Sequence, residues 1–106
     1  MAVSKINNPN GVTNTSVTTG LGTNINVNLY KTGRVVYIDF KGGNYTSAAD
    51  ATVLTIPNGY RPITHVELLN GYNGSDRIWI EPSGEVICKT ALNNYPLRGS
   101  MSYVCA

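Results

Sequence analysis

The chain is short of charge, histidine and sulfur, and each shortage removes a class of function. Acidic and basic residues make up 13% of its 106 residues and the formal net charge is +2, too little to hold nucleic-acid phosphates or an anionic membrane surface. One histidine and two separated cysteines without CxxC spacing make no zinc site, and the acids lack calcium-loop spacing, so no metal or cofactor is expected. No run approaches the roughly 20 apolar residues of a membrane span. The amino-terminal "MAVSKINNPNGVTNTSV" has no apolar core of signal-peptide length. The expectation is a soluble chain, made in a cytoplasm and not inserted in a membrane. A helical stripe is missing throughout, as is the GxSxG of a nucleophile elbow.

What is present is neutral polarity. Asn, Thr, Gly and Ser are abundant, and seven tyrosines stand against one phenylalanine, a surface that makes contacts with amides and hydroxyls. At this length a single domain buries roughly 65% of its unfolded surface and needs no disulfide. Cys88 and Cys105 lie in the apolar runs "EVICKT" and "SYVCA" and read as buried free thiols.

Alternation with a period of two organises the chain. Ile25, Val27 and Leu29 share one face, the turn "KTGR" follows, and Val36, Ile38 and Phe40 share the next, which predicts a hairpin. Further strands are expected at "ATVLTI", "THVELL", "RIWIE", "EVICKT" and "GSMSYVCA", punctuated by "PNGYRP", "NGYNGSD" and "PSG". The fold class is therefore all-β, an antiparallel sandwich or barrel. Residues 1–16 show neither period and read as a polar linker, with the folded domain spanning 17–106. The last strand ends the sequence and is expected to pair in the sheet or at a subunit interface, since an open edge there invites aggregation.

In "RIWIE" the inward Ile78 and Ile80 leave Arg77, Trp79 and Glu81 on the wet face. The only tryptophan is then either covered by a loop or a neighbouring subunit, or it is a platform for a polyhydroxylated ligand. His65 and Glu67 share the outer face of their strand, as do Tyr37 and Asp39 on theirs. An aromatic plane with a few convergent polar groups suits a saccharide. A glycosidase would need two carboxylates flanking the scissile bond, whereas Asp39, Asp50, Glu67, Asp76, Glu81 and Glu85 scatter over turns and wet faces, so an enzyme is not expected.

The pieces "IPNGYRP", "IWIEPSGEV" and "RGSMSYV" give the chain, from about Val17 to Ala106, a pattern that resembles the head domain of baseplate receptor-binding proteins of lactococcal siphophages. The resemblance implies a compact, Greek-key-like antiparallel β-barrel head, a homotrimer, a place in the virion's tail baseplate, and adhesion to a host cell-wall saccharide. It implies contacts to other baseplate proteins through amino-terminal segments, of which residues 1–16 would be a neck remnant. It assigns the saccharide site to His65 with Glu67 and to Trp79. Arg77 fits less well, since an arginine after the tryptophan would be Arg98, and Glu67 stands where the pattern has Asp. With Asp39 and Glu81 from the strand faces, the candidate site is Trp79, Arg77, His65, Glu67, Asp39 and Glu81. The rival is a structural trimerisation cap with Trp79 in the subunit interface.

Overall fold

The computed structural model describes residues 12–18, 25–42, 44–71 and 77–106. In chain order the strands are β1 (Val12–Thr18), β2 (Ile25–Thr32), β3 (Val35–Gly42), β4 (Asn44–Ser47), β5 (Ala51–Thr55), β6 (Val66–Leu69), β7 (Arg77–Ile80), β8 (Glu85–Cys88), β9 (Leu92–Pro96) and β10 (Gly99–Val104). They form two four-stranded antiparallel sheets, ordered β1-β2-β3-β10 and β5-β8-β7-β6, and a two-stranded ribbon of β4 and β9. The second order places the first of four consecutive strands beside the last, a Greek-key arrangement. No helix occurs among the described residues.

The β2–β3 hairpin forms because the alternation on both sides agrees with its turn. Thr32 pairs with Val35 around Gly33 and Arg34, and Gly33 has φ +59° while Arg34 stays at negative φ, as a type II′ turn requires. Val27, Leu29, Val36, Ile38 and Phe40 are all buried on its inner face. They share one core with Ile78, Ile80, Val86 and Cys88 of the opposite sheet. In β5 the register shifts between Thr52 and Leu54, so that the consecutive Val53 and Leu54 are both buried. A bulge is what lets neighbouring residues on one strand both face the core.

The all-β antiparallel class holds, but no closed barrel is found among the described residues: the ladders end in two sheets that share a core. Residues 12–16, expected to be linker, belong to β1, which pairs with β2 from Val12↔Thr32 to Thr18↔Asn26; residues 1–11 lie outside the described residues. β4 and β9 were not expected at all. The last strand does pair within its sheet, β10 against β3, and beyond it Pro62 bridges to Cys105. Cys88 and Cys105 are buried, and neither forms a disulfide.

The single fully buried polar side chain in the described core, Asn70, ties the sheets together where β6 ends. Its Nδ2 donates to the Pro96 carbonyl at 3.0 Å, and its Oδ1 accepts from the Arg98 amide at 3.0 Å. Gly71 N–H then donates to Arg98 O at 2.7 Å, so an asparagine and the next amide continue the pairing that the backbone alone would leave open.

Candidate functional site

The outer face of the second sheet is laid out by three cross-strand rows. Glu67 lies opposite Trp79, Trp79 opposite Ile87, and Ile87 opposite Thr52. Toward the β7–β8 turn, Val66↔Ile80 pairing brings His65 beside Glu81, and the Glu81 amide donates to Glu85 O at 3.0 Å. Toward the other end, Leu69 lies opposite Arg77, and Lys89 N–H donates to Arg77 O at 2.9 Å. The face thus grades from carboxylates through an aromatic and aliphatic middle to cations. Buried Ile78, Ile80, Val86 and Cys88 on the reverse side fix which side chains point out.

His65 is the centre of the acidic end. Its Nδ1 is 2.7 Å from Glu81 Oε1 and its Nε2 3.0 Å from Glu67 Oε2. The hydrogen bonds to Glu81 and then to Glu67 raise the pKa of the ring, and the bond to His65 is the largest influence holding the Glu67 carboxyl below its ordinary range. Arg77, two-thirds exposed, approaches Glu67 Oε1 at 3.8 Å, an ion pair without a hydrogen bond.

Trp79 is half-buried by these same neighbours. The His65 ring meets it edge-on, with centroids 4.7 Å apart and planes at 86°. Lys89 Nζ lies 4.0 Å from the indole centroid, a cation–π contact, and is itself paired with Asp50. The indole N–H helps to keep Glu67 ionised but makes no hydrogen bond of good geometry, and its nitrogen is buried. The covering of Trp79 therefore comes, at least in part, from side chains of its own sheet.

Of the six residues expected at the site, the structure brings together His65, Glu67, Arg77, Trp79 and Glu81. Asp39 is elsewhere: it lies on β3 in the first sheet, opposite Asn28 and Ser100, on the strand face shared with Tyr37. Asp76 falls outside the described residues. Lys89 and Asp50 were missed. Carrying the alternation of "EVICK" one step past Cys88 puts Lys89 outward with Ile87, but only the β7–β8 register places it over Trp79. Asp50 has φ +64°, a left-handed conformation that Asp tolerates, and its amide donates to Cys88 O at 2.8 Å, which anchors the carboxylate beside Lys89.

Among the described residues no group of three His, Cys, Asp or Glu side chains is arranged to hold a metal ion, and no helix is long and apolar enough to cross a membrane. The chain matches no protein-family model and no curated protein.

Proposed function

We propose that this domain is a non-enzymatic adhesion head of a phage tail baseplate, which binds a saccharide of the host cell wall on the outer face of the second sheet. The observation that carries this reading is the convergence of His65, Glu67, Arg77, Trp79 and Glu81 on one face, from β6, β7 and the residues that flank them. Carboxylates and a guanidinium accept from and donate to sugar hydroxyls, while Trp79 and Ile87 meet the C–H surface between them. The site is a face rather than a cleft, so a single sugar binds weakly, on the order of millimolar, about −4 kcal/mol. Adhesion then depends on several linked sites, which raise avidity roughly 10²- to 10⁴-fold. A homotrimer supplies them.

The rival reading is a trimerisation cap without a ligand site and with Trp79 in the subunit interface, whereas the exposed apolar residues available for association include Tyr37 and Val104 of the first sheet. These lie on a different sheet from Trp79. Titrating purified lactococcal cell-wall polysaccharide into the domain should change the emission of its single tryptophan and leave the polysaccharide's chain length unaltered. Trp79→Ala and Glu81→Gln should each weaken binding at least about tenfold, or about 1.4 kcal/mol, with the oligomer intact. Dissociation of Trp79→Ala into monomers would favour the cap, and shortened polysaccharide would make the domain an enzyme.

A further inference from the structure

We propose that His65 is a positioning residue of this site and not a contact for the saccharide: as an imidazolium held between Glu81 and Glu67 it presets both carboxylates, so that binding weakens when the ring loses its proton. The proposal rests on the saccharide reading above. Its geometry does not.

Both ring nitrogens face carboxylate oxygens, Nδ1 at 2.7 Å from Glu81 and Nε2 at 3.0 Å from Glu67. An ionised carboxylate only accepts, and a neutral imidazole carries one N–H, so the two contacts together require the doubly protonated ring. With both nitrogens engaged and the ring edge on Trp79, His65 has no polar atom left for a ligand. Each acid keeps its other oxygen. Among the described residues Glu81 Oε2 has no hydrogen-bond partner, while the second oxygen of Glu67 meets Arg77 at 3.8 Å and the Glu67 carboxylate also feels the Trp79 indole N–H without a hydrogen bond of good geometry. Those two oxygens, held at fixed separation by the ring between them, are the acceptors offered to hydroxyls.

Loss of one proton breaks the arrangement at its longer contact. The remaining N–H stays with Glu81, and the Nε2 lone pair then points at Glu67 Oε2. Glu67 is pushed away, toward the Arg77 guanidinium. Among the described residues no second cation replaces His65 at this end: Arg77 is the only other positive group paired with either acid, and Lys89 on the far side of Trp79 is engaged by Asp50. Glu85, in the next strand over, accepts from Thr52 Oγ1 and Ser83 Oγ and brings only further negative charge. Both acids raise the affinity of the ring for its proton above its ordinary value of 6.5. The site is therefore assembled at and below pH 6.5 and comes apart as pH rises through the raised midpoint.

The test has a ligand-free arm and a binding arm. In the ligand-free domain, ¹⁵N spectra of the single histidine should show both nitrogens protonated at pH 6.5 and a titration midpoint above the ordinary value, lowered in both Glu67→Gln and Glu81→Gln. A neutral single tautomer at that pH would overturn the proposal. In the binding arm, affinity for lactococcal cell-wall polysaccharide should fall about tenfold as pH rises through that midpoint. His65→Gln should bind weakly at every pH. His65→Lys, which keeps a cation between the acids but does not titrate in this range, should bind with a flat profile. A wild-type affinity that stays constant while His65 titrates would sink the positioning role and leave the saccharide reading standing. Absence of binding at every pH would remove the saccharide reading and with it the proposed role, while the spectra still decide the protonation of the clamp.

Discussion

His65 and Glu67 hold each other in opposite charge states, and this coupling gives stability a definite pH window. The folded-state pKa of His65 is raised, so its contribution is fully present below about 6.5 and is lost as pH rises through the folded value. That of Glu67 is lowered, so its contribution is present above its ordinary 4.5 and is lost as pH falls through the folded value. The melting temperature should therefore be highest between the two midpoints and fall on both sides. Scanning calorimetry across pH checks this, and the alkaline fall should disappear in His65→Gln while the acid fall, which has other carboxylates behind it, remains. At this scale the outward direction of His65, Glu67, Arg77, Trp79 and Glu81 was legible from alternation alone. Their mutual contacts were not, because the β6–β7 register that sets His65 beside Glu81 follows from pairing across a connection whose length does not dictate it. Asp39 was grouped with them for the same reason: an outward face is visible in one strand, but which sheet that face belongs to is not.

The turn between β7 and β8 shows how an element end can be fixed by what lies behind it. Gly84 N–H donates to Glu81 O at 2.7 Å, while Gly84 O accepts from Ile56 N–H at 2.7 Å and so joins the turn to the segment after β5. Gly84 has φ +92°, and a Cβ there would lie 2.5 Å from Arg61 Nε and 2.6 Å from the Ile56 carbonyl oxygen. The carbonyl is backbone, and Arg61 Nε already donates to it at 2.8 Å, so neither neighbour is free to retreat. Gly84→Ala should therefore destabilise by about 3 kcal/mol, from backbone strain and overpacking together. Urea denaturation gives the value, and a loss below about 1 kcal/mol would mean that the turn relaxes. The glycine was visible in "PSGE" as a turn signal, but the close approach of Arg61 was not. Strands with clean alternation, β2, β3, β7 and β8, were equally visible. The missed ones lack it: β1 reads VTNTSVT and is a strand because the strongly patterned β2 pairs with it, while β4 and β9 read NYTS and LNNYP and pair with each other, with Asn70 holding the Pro96 carbonyl at the end of β9, tertiary effects that override weak local preference.

At the scale of the whole molecule the two sheets present unlike outer faces. The second carries the charged rows around Trp79; on the first, Tyr30 lies opposite Tyr37 and Val35 opposite Val104, with Ile63 joined to Val104 by its amide at 2.9 Å. Val35, Val104 and Ile63 are 49%, 50% and 52% exposed, and with Tyr30 and Tyr37 they leave large apolar side chains uncovered on this side of the molecule. In the trimer proposed above, association of copies through this face would cover it and leave the second sheet, with the proposed saccharide site, outside the interface. The two faces then answer separately to mutation. Light scattering should report about three times the chain mass of 11.4 kDa. Tyr37→Glu with Val104→Glu should yield monomers, because six like charges in a trimer would be brought to one buried interface, each costly to desolvate without a partner. Those monomers should keep the weak, single-site polysaccharide affinity and the tryptophan response while losing the avidity for whole cells. A wild-type chain that stays monomeric at micromolar concentration would refute this arrangement, and a double variant that stays trimeric would place the interface elsewhere.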